Sequence, residues 1–118
     1  MKCPSCEMNT DNAAYCHNCN TDLILYHKVH MMAARLYNKG LEQAQGRCLS
    51  GATETLLMCI RLQKNHVDAR NLLGLIYWEV GEVGEAIKQW VISVAYQKVD
   101  NIANHYLNII QNQPNQLA

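Results

Sequence analysis

The chain has 118 residues, 49% of them apolar, and its 10 Lys and Arg balance 10 Asp and Glu. That composition excludes a disordered chain, and the neutral balance argues against a dedicated nucleic-acid or membrane-surface binder, which needs a concentrated basic face. The length has room for one ordinary domain, or one small domain with a minimal companion. No apolar run could cross a bilayer and no leader follows Met1-Lys2, so a soluble, cytoplasmic protein is expected.

Residues 1–22 carry the strongest local motif. Cys3-Pro4-Ser5-Cys6 and, nine residues later, Cys16-His17-Asn18-Cys19 hold four of the six cysteines in two Cys-x-x-Cys pairs. In a chain without a secretion signal, such pairs are the metal pattern and not the disulfide pattern. Each pair makes a tight knuckle whose thiolates converge, and two knuckles on a short β-hairpin place four sulfurs about 2.3 Å from a tetrahedral zinc ion. The segment resembles a short zinc ribbon, with Tyr15 at the aromatic place before the second knuckle. Glu7 and Asn20 stand where ribbons usually have glycine in a left-handed conformation, which Glu tolerates poorly. Four cysteine ligands leave no open coordination position, so the Zn2+ expected here is structural. So short a segment folds on the metal's binding free energy. Iron in a rubredoxin-like site is the competing metal, and His17 reads as a bystander within its knuckle.

Helices follow. Thr21 or Asp22 can cap the first, and Leu23, Tyr26, Val29, His30, Ala33, Leu36, Tyr37, Gly40, Leu41 and Ala44 recur with helical spacing to about Gln45. With no Pro, Gly or Ser linker, the ribbon should be fixed to this helix. His27 and His30 read as an exposed pair lacking further ligands, and Met31 and Met32 as core filling. Gly46 to Gly51 form a turn, and Leu49 to about Lys64 a second helix in which Cys59 is buried and inert. Cys48 lies at the turn. A third helix covers about Asp68 to Val80 and stops at Gly81. The fourth runs from about Val83 to Lys98, and the last from Asn101 to about Asn112 behind an Asp100 or Asn101 cap. Residues 113–118 are amide-rich with Pro114 and read as a tail or the start of a linker, as at the front of a longer protein.

Residues 33–66 and 67–100 can be written as one 34-residue unit twice: Gly40 falls on Gly74, Ala52 on Ala86, Leu56 on Trp90 and Cys59 on Ser93. The second copy has Leu73-Gly74, Tyr77, Gly81, Ala86, Trp90 and Ser93. This resembles the tetratricopeptide repeat, a helix–turn–helix unit of that period. Small residues would lie where the helices of one repeat cross, with Tyr77 and Trp90 filling the space between neighbours. Departures are Arg70 for the early Trp, Lys98 for the closing Pro, and Lys39 and Gln43 in copy one. The expected fold is mainly α: a zinc ribbon over 1–22, then about five helices over 23–112, with residues 101–112 as a capping helix. This expected architecture resembles that of bacterial proteins of unassigned role that join a zinc ribbon to such repeats.

The resemblance implies partner contacts on the concave face at the second, fifth, ninth, twelfth and thirteenth positions. These are Ala34, Tyr37, Leu41, Ala44 and Gln45, then Asp68, Asn71, Leu75, Trp78 and Glu79, with Ile102, His105 and Ile109 from the capping helix. An exposed Trp78 beside Leu, Tyr and Ile would make an apolar strip suited to a peptide or helix. The family's carboxylate clamp is absent, since Asp68, Asn71, Leu72 and Leu75 occupy its positions. With barely two repeats, a closed bundle that covers the strip is the alternative, and self-association through the strip would look the same from sequence. The expectation is a non-enzymatic adaptor for a protein or peptide partner. Nucleic-acid binding through the ribbon is the second reading, opposed by only Lys2 and Lys28 against Glu7, Asp11 and Asp22 in residues 1–31. No phosphate loop, nucleophile–base pair or open metal site points to an enzyme.

Overall fold

A computed structural model describes residues 22–111 together with Tyr15. These contain five α-helices: α1 (Leu23–Gln45), α2 (Leu49–Leu62), α3 (Val67–Glu79), α4 (Val83–Tyr96) and α5 (Ile102–Gln111). None is long and apolar enough to cross a membrane. The four paired cysteines, and with them the zinc ribbon, lie outside the described residues, as do residues 112–118. Tyr15 and Asp22 form an isolated antiparallel bridge.

Local chemistry accounts for the helix ends. The Asp22 carboxylate accepts from the Leu25 N–H at 3.0 Å and caps α1. The imidazole of His66 does the same for α3, accepting from Ala69 N–H at 3.1 Å. Asn101 caps α5 through its side-chain oxygen, 3.1 Å from the Ala103 N–H. Both α2 and α4 stop two residues short of expectation. Gln63 (φ −139°, ψ 92°) and Gln97 (φ −141°, ψ 103°) are extended and break the ladder. Gly81 has the left-handed conformation expected of it, φ +88°.

The 34-residue spacing recurs in the geometry. Gln63 and Gln97 are one such pair. Arg47 and Gly81 are another: Arg47 has φ +65°, and each residue sits in the same turn, closed by Cys48 N–H to Gln43 O and by Glu82 N–H to Tyr77 O, both at 2.8 Å. Ala52 and Ala86 are wholly buried, as are Cys59 and Ser93. A Cβ on Gly40 would stand 2.8 Å from Leu56, and one on Gly74 would collide with the Trp90 indole. The glycines thus set the close approach of α1 to α2 and of α3 to α4. Each pair is an antiparallel hairpin, since rising numbers on one helix meet falling numbers on the other: Cys59 bonds Ala33 O, and Thr55 bonds Gln43.

Packing is sequential, each helix resting mainly on its neighbour in the chain. Among the described residues, α1 and α2 make no substantial contact with α4 and α5, so the helices form an open stack. One core joins α1, α2 and α3 around Leu56, Cys59, Leu73 and Ile76. A second joins α3, α4 and α5 around Trp90, Ala103 and Ile110, and Tyr77 touches both. Met31 and Met32 depart from expectation. They are 56% and 50% exposed, because Ala33 and Leu36 take the positions of α1 that face the core.

Candidate partner-binding site

The row expected on the concave face divides into open, half-open and closed positions. On α1, Ala34 and Gln45 are exposed, whereas Tyr37, Leu41 and Ala44 are half-buried. The Tyr37 ring lies 5.1 Å from that of His66. Burial, with Asp68 and Cys59 adding, pushes its phenol above the usual tyrosine range. On α3, Leu75 is 40% exposed, and Asp68 and Glu79 are exposed. Glu79 pairs with Arg47 at 3.0 Å, both well solvated, so the α1–α2 turn is tied to the end of α3 by a weak surface bridge. On α5, Ile102, His105 and Ile109 are all exposed, at the i, i+3, i+7 spacing of one helix face.

Two residues differ from their expected places. Asn71 is 7% exposed, because its amide nitrogen donates to Asn101 at 2.9 Å where α5 begins. It is an inter-helix tie and not a surface contact. Trp78 is half-buried. Its ring lies 6.1 Å from that of Trp90, in the second core, so only part of the indole faces outward. The causes are distinct: Asn71 is drawn in by Asn101 just before α5, and Trp78 by Trp90 on α4.

The ties themselves were not legible as such. Arg70, 8% exposed, donates from Nε to Lys64 O at 2.8 Å and from its guanidinium to Gln89 at 2.9 Å, with Tyr96 5.8 Å beneath it. A buried cation without a carboxylate is held by two carbonyl-type oxygens and a ring face. Asn101 also donates to Ser93 Oγ and to Gln97 O, both at 2.9 Å. Asn71 Oδ1 is buried and has no donor among the described residues. The only hint in sequence was a charged residue, Arg70, in a place where an aromatic is usual.

The remaining candidates are unreactive or unassembled. Burial pushes the Cys59 thiol up to about 11, and its S–H donates to Ala33 O at 3.2 Å, as suits an inert core residue. Cys48 is exposed. His27 and His30 are half-buried against the Tyr26 ring, at 5.9 and 4.1 Å, and not an exposed pair. Among the described residues, no three His, Cys, Asp or Glu side chains converge on a point where a metal could bind. Compared with protein families, characterised proteins and solved structures, the chain matches none.

Proposed function

We propose that the chain is a non-enzymatic interaction module: a short tetratricopeptide-like array that receives a protein or peptide on the face formed by α1, α3 and α5. The observation that carries this reading is the 34-residue recurrence of turn, extended stop and small-residue contact in an open stack. A stack of that kind leaves one side of alternate helices unpaired. Leu75, Ile102, His105 and Ile109 supply the accessible part of the face, with Leu41, Tyr37 and the outer part of Trp78 beside them. Glu79 edges the face and Asn71 acts from beneath it.

The four cysteines at 3, 6, 16 and 19 are proposed as ligands of a structural zinc ion, in a cytoplasmic protein whose thiols stay reduced. Metal analysis of the reduced, purified chain should find stoichiometric zinc that is lost on Cys16→Ser. Stoichiometric iron, or no metal, overturns the assignment.

The face is tested by capture from a reducing, zinc-replete bacterial lysate, comparing the parent with a Leu75→Glu, Ile109→Glu variant. Both side chains are exposed, so helical circular dichroism should be unchanged. A defined protein should bind the parent and not the variant. Equal capture by both, or none by either, overturns the proposal.

A further inference from the structure

An apolar depression lies away from that face. It is a groove of about 530 Å³ between the lower halves of α1 and α2, lined by Met32, Leu36, Met58 and Leu62. Met31 continues it along α1 into an adjoining depression. Met32 and Met58 are each 50% exposed and Leu62 is 38% exposed. Its rim is cationic: Arg35 and Arg61 flank the groove, and Lys28 stands about two turns from Arg35 along α1. No described carboxylate lies within ion-pair distance of these three; the single described ion pair, Arg47–Glu79, is at the opposite end of the hairpin.

The internal repetition shows why the corner is open. Thirty-four residues on, Leu36 becomes Arg70, Met58 becomes Ile92 and Leu62 becomes Tyr96. There the corner is closed. Arg70 reaches across the Tyr96 ring to the Lys64 carbonyl, and residues 63–66 turn into the start of α3 at Val67. In the first hairpin no such turn exists, because α1 runs straight on to Leu23. Residues 32–36 of α1 and the end of α2 make a two-walled trough floored by thioethers and leucines.

We infer that this trough is a second docking site, separate from the face proposed above, and that it receives an acidic amphipathic helix. Two helical walls form a seat for a third helix, and flexible methionines adapt to its apolar side chains. Three cations without described partners call for carboxylates on either side of the apolar stripe. A second copy of this chain is the poorer occupant. Two-fold pairing through this patch would set Lys28, Arg35 and Arg61 against themselves.

The test uses the full chain labelled at its methionine methyls and a synthetic peptide about four turns long. The peptide has leucines on one face and glutamates flanking them; its twin has lysines in place of the glutamates. The acidic peptide should shift the Met31, Met32 and Met58 signals, and should bind at least about tenfold more tightly than the twin. Arg35→Glu with Arg61→Gln should weaken binding by about tenfold, whereas Leu75→Glu should leave it unchanged. That last comparison separates this site from the concave face. The inference is overturned by any of four results: no methyl shift; equal binding of the two peptides; methyl signals that move with protein concentration, meaning a second copy; or signals already shielded from a soluble paramagnetic probe in the free chain, meaning that its own residues fill the trough.

Discussion

Gly40, Gly74 and Gly84 are one residue type in three situations, and their substitution separates packing from propensity. Alanine at Gly74 meets the rigid Trp90 indole, and should cost about 2 kcal/mol even after its better helix propensity is credited. At Gly40 the obstacle is the branched end of the buried Leu56, met less closely at 2.8 Å, so the loss should be smaller. At Gly84 nothing lies within 4 Å, and alanine should stabilise by up to about 0.5 kcal/mol. Denaturant midpoints in that order check the claim that helix approach is set by two of these positions and not the third. Arg47 offers the converse case. It is a side chain held at φ +65° where the matching position is Gly81, so Arg47→Gly should be neutral or stabilising by up to about 1 kcal/mol despite loss of the exposed Glu79 bridge. His66 ties residue chemistry to pH. Its imidazole must be unprotonated at the nitrogen that caps α3. Burial holds it below the usual histidine range, with Asp68 opposing and His30 adding. The unfolded chain therefore takes up the proton first. Stability should be full above about pH 6.5 and fall as the pH drops below it. Denaturant midpoints at several pH values should show this, and His66→Asn, which keeps a cap acceptor, should flatten the trend.

The helices meet over two apolar cores, and a few buried polar ties fix their ends. Asn101 is the centre of one group. It caps α5, accepts from Asn71, and donates to Ser93 and to the last turn of α4. Removing it strands several buried partners at once, so Asn101→Ala should cost about 2–3 kcal/mol and release α5 before the hairpins. Hydrogen exchange should then show α5 amides opening while α1 and α2 stay protected. The Arg70 group plays the same part between the end of α2 and α4, and its loss should loosen the joint between the two hairpins. Among the described cysteines, Cys48 should react with an alkylating reagent in the native protein, and Cys59 only as α1 and α2 separate.

An open stack has two ends and two long sides, and each is finished differently here. The side proposed for a partner exposes a discontinuous apolar row, Leu75 with Ile102 and Ile109, interrupted where Asn71 and Trp78 are drawn inward. The end beneath α1 and α2 exposes methionines and leucines behind a cationic rim. On the two proposals above, one chain would hold two partners of different chemistry without their competing, as a scaffold does.

Helix positions, the left-handed stop at Gly81, the burial of Cys59 and the 34-residue unit were all readable in the chain, because local spacing and backbone preference act within a few residues. The small-residue contacts were readable too, since a glycine opposite a tryptophan is a statement about volume. What spacing could not supply was the environment of each surface, which depends on elements distant in sequence. Asn71 is buried because Asn101, 30 positions away, turns back onto it. Met31 and Met32 carry apolar side chains that a periodicity argument places in a core. They are half-exposed because Ala33 and Leu36 take the positions of α1 that face the core. Which side of a helix is covered is decided by where its neighbours lie, and only the assembled stack contains that information.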